Sequence, residues 1–508
     1  MGTKYLYGAS IQGIQSFIFQ TSKLTEIVGA SELVEQICTN FFEEQVGNGF
    51  KKENLILGAA GNIKYIFNDE ESCQNLVRKF PKAVMEMAPG IKISQAVVKI
   101  SEGDENTIQI LESRLRVQRN KVISVTDGIG LMVMESARKT GAPGVNWIDK
   151  DIIDLAQELK NKASNKANKK LLSKIVGEND HSIDKFPFNL SDMLDGDNNK
   201  SWIAVIHADG NNIGQLIIQL TKNLTSNQSQ KSIKSFSEIL NNTTISAAKY
   251  SFEKVISVNK NANGKLPFRP VILGGDDLTA IISAEFALSY TKVFLQKFEE
   301  ISKTNFKNFG KDNQLDSNPF ENGLTACAGI AFIKASYPFH YGVTLAESLC
   351  KEAKKGSKKI NPSNTPSSVM FHKVHASFVE EVEDIIENEL TAKDNVQFNY
   401  GPYFLNTQKA YATIADLEGW IEKINKKDAP KAGLRNWLTA LKNNPENAAQ
   451  LLERIASLKG NEKFANSLFL NSPFTQRNAK KNGEEVMINF TPVFDILSLS
   501  NILKKQES

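Results

Sequence analysis

The sequence predicts an α+β protein in which two similar sheet-and-helix modules precede a helical C-terminal part. Its 508 residues correspond to three or four domains, at about 150 residues per domain. The order of elements β-α-α-β-β-α-β can be read between residues 202 and 356, and a weaker copy of it lies between residues 5 and 100. Beyond residue 368, apolar residues recur at helical spacing.

The composition is that of a globular protein. A hydrophobic content of 41% and a charged content of 23% exclude a collagen-like, a fully disordered or a membrane-embedded chain. The net charge of +4 is too weak to indicate a nucleic-acid partner by itself. The four cysteines include no Cys-x-x-Cys pair, so neither a disulfide framework nor a zinc site is predicted. Without a signal peptide or a long apolar run, the sequence predicts a cytoplasmic protein with no membrane contact.

The clearest pattern lies in the second of the two modules. The apolar run Trp202–Ala208 reads as a buried strand that ends in the loop Asp-Gly-Asn-Asn. The stretch Arg269–Ala284 consists of two apolar runs separated by Gly-Gly-Asp-Asp, which predicts a hairpin with an acidic tip. A further strand at Leu324–Ile333 and a helix that ends in KEAKKG complete the module. This order is that of a ferredoxin-like sheet backed by helices, the arrangement also called a palm.

The first hundred residues repeat the same order without its acids. The predicted strands, helices and hairpin are Tyr5–Gln12, Lys23–Glu44, Asn54–Phe67, Glu71–Met87 and Ile91–Ile100. When the two copies are aligned, Gln12 takes the position of Asp209. Ala60 and Gly61 take the positions of the two tip aspartates. One acidic and one non-acidic copy suggest one catalytic site and one structural or binding partner.

Polar stretches at Asp195–Lys200 and Asn361–Ser368 read as linkers and divide the chain. We predict a degenerate palm domain over residues 1–102, called the first module, and a helical linker region without zinc ligands over residues 103–200. The acidic palm domain over residues 201–368 is called the second module. Residues 369–508 are predicted to form a C-terminal helical domain.

Three carboxylates of the second module are candidates for a metal site. Asp209 ends one predicted strand, and Asp276 and Asp277 sit on a hairpin that this topology places beside it. Two Mg²⁺ (or Mn²⁺) ions held by such a cluster would activate a hydroxyl nucleophile and bind triphosphate oxygens. A lone Gly-Gly-Asp-Asp is also compatible with an ordinary β-turn. The Asp-Gly strand end upstream, in the matching topology, favours the metal site.

Further residues around these acids are candidate nucleotide contacts. Gly274 and Gly275 have no Cβ, so a nucleotide can approach their backbone closely. Asn212 offers an amide to a base edge or a ribose, and the alternative is that it accommodates the turn and caps the next helix. Lys354 either reaches a triphosphate or complements a helix dipole. His207, two residues before Asp209, reads as a core or supporting residue.

Five sequence stretches resemble a known family. GASIQGIQSFIF, KLTEIVGAS, HADGNNIG, LGGDD and AESLCKEAKK follow one another as in the large polymerase-cyclase subunit of type III CRISPR effector complexes. The resemblance covers residues 1 to about 360, and the C-terminal part is similar to that family's helical domain. It implies two palm domains that face each other, with ATP bound between them and converted to cyclic oligoadenylate. Guide or target RNA and sibling effector subunits are the partners it implies.

The resemblance also assigns roles to residues of this chain. It implies that metal is held by Asp209, Asp276 and Asp277. It implies nucleotide contacts at Gly210, Asn212, Gly274, Gly275 and, toward the phosphates, Lys354. The family's HD nuclease has no counterpart here, since no histidine precedes an aspartate directly. The stretch Met132–Pro143 lacks the zinc-binding cysteines usual between the palms. We therefore expect a reduced member without a DNA nuclease domain.

Two other functions are compatible with the sequence. A GGDEF-like cyclase that uses GTP shares the strand aspartate and the hairpin, but it carries Glu-Phe where this chain has Asp277 and Leu278. A non-catalytic palm scaffold would bind RNA or effector subunits instead. Two basic stretches favour such a scaffold. One is Lys160–Lys174, and the other lies in the C-terminal part and consists of Lys423, Lys426, Lys427, Lys431 and Arg435.

Overall fold

The computed structural model describes most of the chain. The described residues are 3–21, 23–59, 61–100, 106–121, 133–138, 140–148, 150–177, 181–187, 190–193, 202–221, 224, 226–259, 264–315, 317–375, 382–392, 395–464, 468–481 and 484–503. Ala60, the predicted linker Asp195–Lys200 and the predicted boundaries near residues 102 and 200 lie outside these ranges.

The first module is a four-stranded antiparallel sheet with helices on both faces. Its elements are β1 (Lys4–Gln12), α1 (Ile14–Ile18), α2 (Leu24–Cys38), α3 (Asn40–Val46), β2 (Leu55–Ala59), β3 (Asn62–Phe67), α4 (Glu70–Met87) and β4 (Lys92–Ile100). The strand order is β2-β3-β1-β4. Alternation along β1 places Tyr7 in the main core and Leu6 in a second apolar cluster on the other face. The predicted helix Lys23–Glu44 is two helices, because the backbone leaves the helical region at Thr39.

The region after the first module combines helices with one hairpin. Its elements are α5 (Thr107–Arg119), β5 (Gly144–Ile148), β6 (Asp151–Asp154) and α6 (Leu155–Val176). A capping box of Asp154 and Gln157 starts α6. This helix packs closely on α2, since a Cβ atom at Gly29 would lie 1.7 Å from the carbonyl oxygen of Lys160. The hairpin β5–β6 is an addition to the helical linker that the sequence predicts.

The second module has the predicted β-α-α-β-β-α-β order. Its elements are β7 (Trp202–Gly210), α7 (Ile213–Thr221), α8 (Ser226–Ser251), β8 (Phe268–Gly274), β9 (Asp277–Ser283), α9 (Ala287–Asn305), α10 (Phe309–Asp312), β10 (Ala326–Lys334), α11 (Phe339–Ile360) and β11 (Ser368–Lys373). The strand order is β11-β10-β7-β9-β8, with β7 in the middle. Both faces of β7 are covered, so its sequence is a continuous apolar run rather than an alternating one.

The C-terminal part contains strands as well as helices. Its elements are α12 (Val382–Asn388), β12 (Thr391–Ala392), β13 (Val396–Gln397), β14 (Tyr403–Phe404), α13 (Ile414–Ile424), α14 (Lys431–Asn443), α15 (Pro445–Ser457), β15 (Thr475–Lys481), β16 (Glu484–Phe490) and α16 (Val493–Leu499). Strand β14 pairs with β11 and so extends the sheet of the second module. The other strands form a separate sheet in the order β12-β13-β16-β15.

Two further features of the described residues concern the cysteine thiols and the character of the helices. The four cysteines are buried and free. Among the helices within the described ranges, none combines the length and the apolar character that a membrane crossing requires.

A buried carboxylate joins the last helix to the second module. Asp495 of α16 is 7% exposed, and its Oδ2 accepts hydrogen bonds from the Tyr403 hydroxyl at 2.7 Å and the Tyr400 backbone N–H at 3.1 Å. Burial raises the pKa of Asp495 to about 7, although these hydrogen bonds favour its charged form. Asp495 is therefore the acceptor for two buried donors.

We expect Asp495→Ala to lower the free energy of unfolding by about 1 to 3 kcal/mol, because both donors lose their buried acceptor. Urea denaturation followed by circular dichroism measures the change. Asp428→Ala is the matched control, since Asp428 is exposed and pairs with Lys463 at the surface. Equal midpoints for the two variants would contradict the structural role of Asp495.

Candidate functional site

The predicted acidic hairpin is present, and its turn has two residues. Gly274 of β8 pairs with Asp277 of β9, so Gly275 and Asp276 form the turn between them. Gly275 has a φ of 63°, in the left-handed region that favours glycine, as the first position of such a turn requires. We call residues 274–277 the acidic turn. Its geometry presents Asp276 and Asp277 at one end of the sheet.

Strand pairing brings Asp209 to the same end. β7 and β9 run antiparallel with Ala208 opposite Leu278, so the next residue of β7 lies level with Asp277. Carboxylate oxygens of Asp209 and Asp277 and a ring nitrogen of His207 all lie within 4.8 Å of one another. Three groups that could hold a metal ion thus share one small volume.

Asp276 lies beside this group and interacts directly with Asp209. In addition to burial, the charge of Asp209 helps to raise the pKa of the Asp276 carboxyl, so the two side chains are near enough to interact. A Cβ atom at Gly210 would lie 3.0 Å from the Cβ of Asp276, so glycine at this position leaves room for the aspartate. The predicted convergence of Asp209, Asp276 and Asp277 is therefore present in the structure.

The acids are held in a protein environment that disfavours their charge. Burial, followed by the Asp209 carboxylate, raises the pKa of Asp276 to about 7. Burial also raises the pKa of Asp277 well above its ordinary value, and the charges of Asp276 and Asp209 raise it further. A divalent cation would offset this repulsion, because it stabilises all the charged forms at once.

Lys354 is the cation in contact with Asp209. Its Nζ lies 2.5 Å from Asp209 Oδ2 and 2.7 Å from the carbonyl oxygen of Gly210. Burial disfavours its charge, but Asp209 outweighs burial and the pKa of Lys354 is raised. Since α11 continues to Ile360, Lys354 is an interior residue of the helix. Its position therefore does not fit the interpretation that it only complements the end of a helix dipole.

Two further side chains reach the site, one of which the sequence reading missed. Glu347 lies on α11 seven residues before Lys354, on the same helix face. Burial raises the pKa of Glu347 to about 7, Asp209 adds to the rise, and Oε1 has no hydrogen-bond partner among the described residues. His207 Nδ1 lies 3.0 Å from Thr279 Oγ1, and burial lowers its pKa to about 4, so it is neutral at pH 7. The i, i+7 spacing was the available signal for Glu347.

The loop after β7 is tied to the segment that follows α11. Asn211 is 3% exposed, and its Nδ2 donates to Thr325 Oγ1 at 3.0 Å. Asn212 has a φ of 58°, and its Nδ2 donates to Thr365 Oγ1 at 2.9 Å and to the Pro362 carbonyl at 3.1 Å. The Oδ1 atoms of both asparagines have no hydrogen-bond partner among the described residues. The Nδ2 group of Asn212 therefore anchors this loop, while its Oδ1 is buried and unpaired among the described residues.

The first module brings no carboxylate from its matching positions. Gln12 donates from Nε2 to Ser94 Oγ at 2.7 Å. Gly61 has a φ of 74°, and a Cβ atom there would lie 2.3 Å from Ile14 Cδ1. A larger residue at Gly61 would therefore strain the first module itself. The two modules meet elsewhere, for example where the rings of Phe19 and Phe339 lie 5.9 Å apart.

The donor set fits a hard divalent cation. Asp209 and Asp277 provide carboxylate oxygens, and Asp276 and the carbonyl of Gly210 lie next to them. Oxygen ligands are those that Mg²⁺ and Mn²⁺ take in proteins. The buried Oε1 of Glu347, which has no hydrogen-bond partner among the described residues, is a further oxygen atom near Asp209. The chemistry of the residues thus agrees with the predicted metal site.

Two ferredoxin-like modules, of which one carries clustered acids at a strand end and a hairpin tip, define the class of palm-domain proteins. Residues 202–361 match the family model described as Cas10/Cmr2, second palm domain. The resemblance to the large subunit of type III CRISPR effector complexes is confirmed, for residues 202–361 by this family model and for the fold with its tandem palm domains by a solved structure.

Solved structures support the same fold over almost the whole chain. A chain of the Csm1-Csm4 cassette in complex with cA4 is 12% identical, with a TM-score of 0.51, and the match covers 98% of this chain and 69% of that one. The cassette in complex with cA3 gives 10% identity and a TM-score of 0.50 over the same shares. A chain of the Csm1-Csm4 subcomplex in the type III-A CRISPR-Csm interference complex is 12% identical, with a TM-score of 0.50. The match again covers 98% of this chain and 69% of that one. No curated protein matches the sequence.

We expect the double variant Asp276→Asn, Asp277→Asn to unfold at or above the wild-type temperature in the presence of a chelator. An acid whose folded pKa is raised stabilises the fold below its unfolded pKa of about 3.9 and loses that contribution as pH rises through the folded value. For Asp276 the folded pKa is about 7. The wild-type midpoint should therefore fall more steeply than that of the variant between pH 5 and pH 8.

Differential scanning fluorimetry over that pH range measures both slopes. Asp428→Asn is the control for an exposed aspartate outside the site. A lower midpoint for the double variant at every pH would instead assign the two acids a structural role.

Proposed function

We propose that the protein is a Mg²⁺-dependent nucleotidyltransferase that converts ATP into a cyclic oligoadenylate messenger in the cytoplasm, as part of CRISPR-type antiviral defence. The observation that carries this proposal is the cluster of Asp209, Asp276 and Asp277 at one end of a Cas10/Cmr2-type palm sheet. Like charges collected without structural need are typical of sites that bind cations. Similar folds occur in Csm1-Csm4 cassettes in complex with cA4 and cA3, which supports an adenylate product.

The proposed roles follow from the contacts of each group. Asp209, Asp276 and Asp277 would hold the metal, which when bound would lower the pKa of an attacking hydroxyl and neutralise phosphate charge. Lys354 already contacts Asp209 and Gly210, so a small rotation of its long side chain would bring its ammonium group to a phosphate. Gly210, Gly274 and Gly275 would present backbone to the nucleotide beside the acids, and at Gly210 and Gly274 the missing side chain also makes room for Asp276 and Asn241.

The proposed partners also follow from the similar structures. One of them is a subcomplex of a type III-A interference complex, which supports sibling effector subunits, and with them guide or target RNA, as partners. A non-catalytic scaffold is the second candidate. Lys423, Lys426, Lys427 and Arg435 are exposed in the structure, so a basic surface for RNA is available on the C-terminal part.

Incubation with labelled ATP and Mg²⁺, alone and with target RNA and effector subunits, tests the proposal. We expect pyrophosphate release and cyclic products from the wild type and from Asp428→Asn, and none from Asp276→Asn, Asp277→Asn. GTP in place of ATP distinguishes a GGDEF-like cyclase. If no condition yields pyrophosphate, while salt-sensitive RNA binding survives loss of the acids, the scaffold is the better account.

Base choice gives a further expectation at Asn212. Its Oδ1 is a buried acceptor without a partner among the described residues. A nucleotide that reaches this oxygen would donate to it from the adenine amino group, whereas guanine has at the same ring position a carbonyl oxygen that cannot donate. We expect Asn212→Ser to reduce the ratio of kcat/KM for ATP to that for GTP by about tenfold, because one base-specific hydrogen bond contributes about 1 to 3 kcal/mol.

Steady-state kinetics with both nucleotides measures this ratio, and Asn361→Ser, in the neighbouring loop, is the control. An unchanged ratio with a lower thermal midpoint would assign Asn212 to loop anchoring alone.

A further inference from the structure

The acidic turn is held from behind by helix α8. The Gly275 backbone N–H donates to Asn241 Oδ1 at 3.1 Å, and the Gly275 carbonyl accepts from Thr244 Oγ1 at 2.7 Å. Both polar groups of one turn residue thus bond to side chains of the same helix. Because Gly275 directly precedes Asp276, these two bonds fix the backbone from which the acids project.

The surroundings of Asn241 and Thr244 favour their hydrogen bonds to Gly275. Thr244 is fully buried, and its Oγ1 lies 2.7 Å from the Gly275 carbonyl oxygen and 3.1 Å from the Leu240 carbonyl oxygen of its own helix, so the turn is the nearer acceptor. A Cβ atom at Gly274 would lie 3.3 Å from Asn241 Oδ1, which is tighter than ordinary contact. The absence of a side chain at Gly274 therefore lets the Asn241 amide reach the turn. This gives Gly274 a structural reason that does not involve a nucleotide.

The same helix rests on the first module at its other end. Ile233 is 1% exposed and belongs to the second apolar cluster, together with Leu6, Ile56 and Leu111. Lys234 Nζ donates to the Lys52 carbonyl at 3.3 Å. From residue 233 to residue 244 the helix rises about 16 Å at 1.5 Å per residue. A rigid helix therefore connects the sheet of the first module to the acidic turn.

A second contact connects the acidic hairpin with the first module. Lys174 of α6 donates to the carbonyl oxygen of Leu273 at 3.3 Å, one residue before the acidic turn, and pairs with Glu35 of α2 at 3.6 Å. Helix α6 itself packs on α2 of the first module. Both sides of the acidic hairpin are thus braced by helices that rest on the degenerate palm.

We propose that Asn241 and Thr244 are positioning residues that set the place of Asp276 and Asp277, from a helix seated on the first module. The effect of this positioning on catalysis rests on the proposed function, whereas its effect on metal affinity does not. A turn released from α8 would keep its acids but lose their fixed geometry, and metal affinity depends on that geometry.

Thr244→Val removes the hydroxyl and keeps the shape, and Thr244→Ser restores the hydroxyl. Thr243→Val is the matched control, because Thr243 is equally buried on the same helix and its hydroxyl accepts from Asn305 Nδ2 at 3.1 Å instead of contacting the turn. Asn241→Ala is a second test, at a partly exposed position. If Thr244→Val does not fold, this variant still allows the metal affinity to be measured.

Electron paramagnetic resonance of Mn²⁺, without nucleotide, measures the affinity, and steady-state kinetics gives kcat and KM for ATP. We expect Thr244→Val and Asn241→Ala to weaken Mn²⁺ binding and to lower kcat by about three- to tenfold, the equivalent of one hydrogen bond, with little change in KM. Thr244→Ser and Thr243→Val should stay within about twofold of the wild type on that scale.

Unchanged Mn²⁺ affinity in Thr244→Val and Asn241→Ala would overturn the positioning role, as would an equal loss in Thr243→Val. Failure of the proposed function has a different signature, in which the wild type binds Mn²⁺ but makes no product. A wild type that binds no Mn²⁺ would overturn both.

Discussion

Mutual repulsion between Asp209, Asp276 and Asp277 is the constraint around which the second module is arranged. Two unit charges about 4 Å apart repel by about 4 kcal/mol at an effective dielectric constant of 20. The sheet tolerates this repulsion because β7 and β9 are interior strands that are covered on both faces. Their backbone hydrogen bonds fix the register that places the aspartates side by side. Lys354, which lies on the neighbouring helix α11, offsets part of the repulsion between the aspartates by its ion pair with Asp209. The sheet therefore holds the three carboxylates together despite their repulsion.

Close backbone approach is the second requirement of the site, and glycines meet it. Gly210 leaves room for Asp276, Gly274 for the Asn241 amide, and Gly275 adopts the positive φ of the turn. The first module shows the same sheet without this demand. Its Gln12 forms a neutral hydrogen bond with Ser94, so that copy can serve as a support for helices without the cost of collected charge.

Some of the site follows from local sequence, and some depends on distant packing. The three aspartates were predictable because a strand end and a hairpin tip have clear local patterns, and the module order makes them neighbours. Lys354 was harder to interpret, because the Lys-Lys-Gly sequence that it begins resembles a helix end. Gly356 instead lies inside α11, where a Cβ atom would come within 2.7 Å of the Pro402 ring. That glycine serves close packing, which a local pattern does not reveal.

The sequence by itself determined the class of fold, the duplication, and the aspartates, because hydrophobic periodicity and turn chemistry are local properties. Tertiary structure decided the rest. Glu347, Asn241 and Thr244 reach the site from helices whose rotation about their axes depends on packing against the sheet. Strand β14 of the C-terminal part forms because β11 of the second module's sheet offers it hydrogen bonds. Contacts between elements far apart in sequence carry no local signal, and those contacts complete the site.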